Sequence, residues 1–143
     1  VKRAENFCLL NRQRKHSIDA SGVKQLLAEL EKTDDVARGR PYLSFAVVFV
    51  TDAVMREYNR RYRHMDKSTD VLSFEGEGDY LGDIVISTET AWRQAGRSKS
   101  LSFKDNIRRL VLHGYLHLRG YDHEADNGEM RALERRLRRR FAC

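Results

Sequence analysis

The 143-residue chain reads as a single α+β domain, residues 1–143, with a small mixed four-stranded sheet and about five helices. Three observations predict this. The run LSFAVVFV from Leu43 to Val50 is nearly all apolar and rich in β-branched and aromatic residues, which marks a central strand. Helical periodicity alternates with short strand-like runs in the first half of the chain and dominates the second. Finally, no repeat, low-complexity segment or Gly/Ser-rich linker divides the chain, and Pro41 is its only proline.

The elements follow in order. Phe7 to Arg12 forms a first strand, and a helix from Ser21 to Glu31 follows because Val23, Leu26, Leu27 and Leu30 share one face. After the central strand, Asp52 is placed to cap a second helix that runs to Tyr62, with Val54, Met55, Tyr58 and Tyr62 facing inward. Val71 to Phe74 and Asp83 to Ser87 are short strands joined through EGEGDYLG, whose glycines and acids read as a turn or loop. Two helical connections between strands, then a strand pair, then mainly helices, give a mixed sheet. Thr88 to Gly96 is a third helix. Ser102, with Asp105 three residues on, resembles a capping box and opens a fourth helix that continues to Leu118 and is expected to lie across the sheet. The last helix spans Asn127 to Phe141, turning Met130, Leu133, Leu137 and Phe141 inward.

Composition narrows the function classes. Two cysteines, Cys8 and Cys143, lie near opposite ends and argue against both a disulfide scaffold and a zinc finger. No run approaches the length of a membrane span, and VKRAENFCLL has too short an apolar stretch for a secretory signal, so the expected location is cytoplasmic with no membrane partner. Twenty-seven Lys plus Arg against twenty-one Asp plus Glu leave a formal net charge of +6, compatible with an anionic partner without demanding one. Arginines cluster at Arg60, Arg61 and Arg63, and again at Arg135, Arg136, Arg138, Arg139 and Arg140; solvated helix faces account for such runs as readily as nucleic-acid contacts do.

The most specific signal is HGYLHLRGYDH, His113 to His123, which places three of the five histidines at i, i+4 and i+10. On a helix, His113 and His117 stand one turn apart on one face and can reach one ion. Gly120 supplies a residue able to turn the chain in a left-handed conformation, so that His123 closes on the same ion. The neighbours Leu110, Val111, Leu112, Leu116 and Leu118 are apolar, and buried imidazoles need partners. Three nitrogens leave a fourth position open, which suits a catalytic metal better than a structural one. The spacing is shared with zinc peptidases of the type HExxHxxGxxH, but their basic glutamate is replaced here by Gly114; Asp122 or Glu124 would have to serve, with no geometric reason to prefer either.

The same eleven residues resemble the signature of the YbeY family of bacterial ribosome-associated endoribonucleases. NRRYRHMDKSTDVLSF, Asn59 to Phe74, and LGDIVIS, Leu81 to Ser87, are similar to its other motifs. Ser68 and Glu75 stand where the family often has prolines, a departure that touches loop shape and not the histidines. The resemblance implies a metal-dependent enzyme that cuts single-stranded RNA, matures the 3′ end of 16S ribosomal RNA and serves ribosome quality control, with single-stranded ribosomal RNA and the small ribosomal subunit as partners. It implies that His113, His117 and His123 hold one ion per chain, typically zinc, and that cleavage depends on His113 and Arg63. A guanidinium suits that role, because phosphodiester cleavage concentrates negative charge on phosphoryl oxygens.

Imidazoles and water also accept nickel, cobalt or copper. Asp70, Asp83, Asp122 and Asp126 are unranked candidates to orient the histidines. Two other functions fit the same residues: an RNA- or ribosome-binding assembly factor with a structural metal, and a zinc peptidase or amidohydrolase. The number of chains in the active assembly is not encoded in any motif.

Overall fold

The computed structural model describes residues 6–143; the start of the N-terminal segment read above for a signal lies outside them. Its strands are β1 (Phe7–Asn11), β2 (Ser44–Val50), β3 (Val71–Glu75) and β4 (Tyr80–Ser87). The helices are α1 (Ala20–Glu31), α2 (Asp34–Ala37), α3 (Asp52–Arg63), α4 (Thr88–Gly96), α5 (Phe103–Leu118) and α6 (Glu129–Arg140). Strand order is β1-β2-β4-β3, with β2 parallel to both neighbours and β3 antiparallel to β4. This is the mixed four-stranded sheet expected, with one short helix, α2, that carries too few residues to show a period.

Strand alternation explains the two-sided core. Phe45, Val47 and Phe49 of β2 and Ile84 and Ile86 of β4 face α1, α5 and α6, while Ala46, Val48, Val50 and Val85 face the opposite way toward Met55 and Tyr58 of α3. Strand β2 is therefore covered on both faces, which is why its sequence is continuously apolar rather than alternating. Helix α5 crosses β3 and β4 as expected.

Four local expectations are corrected. The N-cap of α3 is Thr51, whose side chain accepts from the Val54 N–H, and Asp52 is the first helical residue. Val54 and Tyr62 are 42% and 54% exposed rather than inward, because α3 covers one flank of the sheet only and turns Met55 and Asn59 to it; Tyr62 rests on the rings of Tyr58 and Phe74. Strand β4 begins at Tyr80, inside the stretch read as a loop, because Gly82 permits a register shift against β2. Gly82 has φ +140°, and a Cβ there would lie 2.1 Å from the Phe74 carbonyl oxygen, so only glycine fits. The last helix is shorter than expected, Glu129–Arg140, with Asp126 accepting from the N–H groups of Gly128 and Met130 ahead of it.

Asp52 ties this flank together. Its carboxylate accepts from the hydroxyls of Ser68 (3.0 Å), Ser87 (2.6 Å) and Thr90 (2.6 Å) and pairs with Arg93 at 2.7 Å. Burial alone would raise its pKa, but the Arg93 guanidinium and the three hydroxyls hold it well below the usual carboxylate range. A depressed folded pKa means stability that is present above the unfolded value, about 4, and lost as pH falls below it. Asp52→Asn is expected to lower unfolding free energy at pH 7 on the order of 2 kcal/mol. The gap to wild type should shrink as pH falls from about 4 in urea titrations; a gap that stays constant down to pH 2.5 would contradict the assignment.

Candidate metal centre and nucleic-acid cleft

The histidine-bearing helix α5 ends as its sequence requires. Ser102 accepts from the Asp105 N–H at the start of α5, and at its end the Gly120 N–H donates to the His117 carbonyl (3.0 Å) and the Tyr121 N–H to the Leu116 carbonyl (3.0 Å). That pair of bonds is a Schellman motif, and Gly120 occupies its left-handed position with φ +93°. The chain reverses there and brings His123 back over α5.

The three imidazoles converge. One ring nitrogen from each of His113, His117 and His123 lies within 4.8 Å of the other two. The Nε2 atoms of His113 and His117 face one another at 3.1 Å, and Nδ1 of His123 is buried with no hydrogen-bond partner among the described residues. Two ring nitrogens facing one another at hydrogen-bond distance, with a buried third left unsatisfied, are what a cation would resolve. The donor set, neutral nitrogens with no thiolate, fits a borderline transition metal such as zinc. Burial and the neighbouring His113 and His123 both lower the pKa of His117, which keeps it in the neutral form a metal needs.

Two braces hold this geometry, and neither was visible in the sequence. The first is Arg119, only 7% exposed, whose Nη1 donates to the carbonyls of Ala37 (3.3 Å) and Arg40 (2.6 Å) and whose Nε donates to the Tyr115 hydroxyl (3.0 Å). Arg38 returns a bond to the Arg119 carbonyl and stacks on Tyr121, whose hydroxyl donates to the Asp35 carbonyl (2.6 Å). The short helix α2 thus clamps the turn that carries His123. The second brace is Glu134 of α6, whose Oε1 lies 2.7 Å from His113 Nδ1. The four aspartates considered from sequence do other work. Asp126 caps α6, Asp122 accepts from the Glu124 N–H, Asp70 accepts from the Val71 N–H and Gln94, and Asp83 accepts from the Tyr80 hydroxyl. Glu134 was missed because it stands twenty-one residues from His113, and only a helix packing on a helix brings them together.

The histidines open into a cleft of about 710 Å³ whose walls include Arg63, Met65, Lys67, Glu75 and Glu124. Arg63 ends α3, where His64 adopts a left-handed conformation and Asn59, buried, donates to the Lys67 carbonyl (2.9 Å) to fold the following loop back. The arginine cluster divides here. Arg60 and Arg61 both pair with Glu57, at 2.7 and 3.5 Å, whereas Arg63 makes no ion pair among the described residues and lines the cleft. In the C-terminal cluster, Arg135, Arg139 and Arg140 are exposed, Arg136 pairs with Asp35, and Arg138 turns to Glu134.

Gly114 separates this site from a peptidase. A Cβ there would lie 2.6 Å from Cγ2 of Ile84 and 3.3 Å from Cγ2 of Val71, and the Gly114 carbonyl accepts from the Ser73 hydroxyl (3.0 Å). The position faces Ile84, Ser73 and Val71 of the sheet, so a glutamate there would point away from the three imidazoles. Cys8 and Cys143 are both free, and among the described residues no helix is long and apolar enough to cross a membrane.

Comparison with known proteins gives one consistent relationship. A family model described as Endoribonuclease YbeY matches residues 9–142. The chain is 43% identical over 112 residues to the Endoribonuclease YbeY of Nautilia profundicola, covering 76% of this chain and 80% of that one. It is 36% identical to the protein of the same name from Geobacter metallireducens, covering 94% and 92%. Its fold is similar to the solution structure of TM1509 from Thermotoga maritima, with TM-score 0.63, 25% identity, and coverage of 94% of this chain and 88% of that one.

Proposed function

The chain belongs to the YbeY family of endoribonucleases, and from that premise we propose that it is a zinc-dependent enzyme cutting within single-stranded RNA. Its proposed work is 3′-end maturation of 16S ribosomal RNA and ribosome quality control, on the small subunit and in the cytoplasm. The observation that carries the chemistry is one cleft holding three convergent imidazoles together with an arginine that makes no ion pair among the described residues.

In this reading His113, His117 and His123 hold the ion, and a divalent ion held there supplies Lewis acidity toward the phosphoryl group. The rest is done by the chain. Arg63 binds the phosphate being cut and stabilises its oxygens as negative charge grows on them. Lys67 adds a second positive charge to a wall that also carries Glu75 and Glu124. Two attacking groups fit the cleft, a water and the neighbouring RNA 2′-hydroxyl. They differ in product, since internal attack leaves a cyclic phosphate and spares DNA.

Purified protein is expected to carry about one zinc per chain and to cut single-stranded RNA while leaving duplex RNA intact. His117→Ala should lose zinc and cleavage together. Intact RNA in the presence of zinc-loaded wild-type protein would overturn the proposal in favour of a binding factor. Cleavage of peptides or amides without cleavage of RNA would favour the peptidase chemistry that Gly114 opposes.

A further inference from the structure

We propose that Glu134, held by Arg138, is a positioning residue that sets the metal affinity of the site through His113. The inference rests on the three-histidine metal reading above and extends it to the C-terminal helix.

The geometry is specific. Glu134 is 8% exposed, so its charge is largely withdrawn from water and needs partners. It has two: His113 Nδ1 at 2.7 Å on Oε1, and Arg138 Nη2 at 3.2 Å on Oε2. His113 turns its other nitrogen, Nε2, toward His117 and the shared centre. A carboxylate accepting from Nδ1–H fixes the tautomer that leaves the Nε2 lone pair free, locks the ring against rotation, and makes that lone pair more basic. Each effect strengthens the bond to a cation.

Arg138 has a defined part in this. It lies one turn beyond Glu134 on α6, and pairing with it keeps Oε1 pointed at His113 while balancing a buried negative charge. One residue of a run that reads as a solvated arginine face is thereby assigned to the metal centre. The remaining arginines of that run stay outside it.

The test is zinc affinity, measured on metal-stripped protein by competition with a chromophoric chelator, so its readout does not depend on RNA cleavage. Glu134→Ala is expected to weaken zinc binding about 10- to 100-fold. Glu134→Gln keeps an acceptor without the charge and should fall between alanine and wild type. Arg138→Ala should produce a smaller loss in the same direction, and Arg139→Ala, exposed on the same helix, should produce none. Nitrogen-15 NMR of the metal-free protein should show His113 as the Nδ1–H tautomer in wild type and a tautomer mixture in Glu134→Ala.

Thermal melts of the same samples separate positioning from folding. A variant that melts earlier yet binds zinc with wild-type affinity while folded would overturn the inference and leave Glu134 a purely structural residue. Should Glu134→Ala not fold, the glutamine variant carries the test alone, and wild-type affinity in it together with an unchanged His113 tautomer would overturn the inference. Wild-type protein that takes up no zinc would overturn the underlying metal reading instead.

Discussion

Arg63→Ala is expected to lower kcat/KM for single-stranded RNA about 10²- to 10³-fold, the usual consequence of removing one preorganised charge-stabilising donor. Zinc content and melting temperature should stay at wild-type values, because Arg63 is exposed, makes no ion pair among the described residues and touches none of the histidines' braces. The loss should fall mainly on kcat, since the charge that Arg63 meets develops in the transition state. Lysine at this position should recover only part of the rate, keeping the charge but not the planar fork that matches two phosphoryl oxygens. Arg60→Ala and Arg61→Ala provide the contrast, as both side chains are engaged with Glu57. Unchanged cleavage by Arg63→Ala, or a parallel loss of zinc, would remove Arg63 from the chemistry.

Gly114→Ala is expected to destabilise the protein by about 1–2 kcal/mol, although alanine is the better helix former by about 1 kcal/mol. The steric effect wins because the methyl would meet Ile84 Cγ2 at 2.6 Å, and Ile84 is a fully buried, β-branched residue of a strand paired on both sides. Relieving the overlap means lifting α5 from β3 and β4, and overpacking of this kind costs about 1–3 kcal/mol. Differential scanning calorimetry should record a lower melting temperature. Zinc affinity should fall with it, because His113 and His117 ride on the same helix. Gly114→Glu would drive a carboxylate into Ile84 and Val71 and should yield no soluble folded protein. A melting temperature at or above wild type in Gly114→Ala would show that the helix is not seated as closely as described.

What could be read from residues alone was what depends on neighbours in the chain. Helical spacing put His113 and His117 on one face, Gly120 marked the reversal that returns His123, and the apolar run from Leu43 to Val50 announced a strand covered on both sides. The core stripes of α1 and α6 followed from the same periodicity. Errors arose where a long-range contact outweighed the local pattern. Val54 and Tyr62 have helical core spacing, yet α3 finds sheet to cover on one flank only, so they remain exposed. Tyr80 and Leu81 sit among turn-forming residues, yet Tyr80 pairs with Ser44 of β2 and Leu81 takes up the register shift before Gly82 pairs with Phe45, so the strand extends through them.

The motif His113 to His123 thus determined by itself that three imidazoles would meet, because backbone geometry over eleven residues leaves them little choice. Tertiary structure decided what surrounds them. Arg63 arrives from another helix, Arg119 is clamped by α2, and Glu134 reaches His113 from α6. These are contacts between residues about twenty to eighty positions apart, and no local periodicity encodes them. Their energetic origin is the burial of apolar faces, of α3 and α5 on the sheet, of α6 on α5 and of α2 on α1, which fixes the helices relative to one another and only then brings the polar side chains into register.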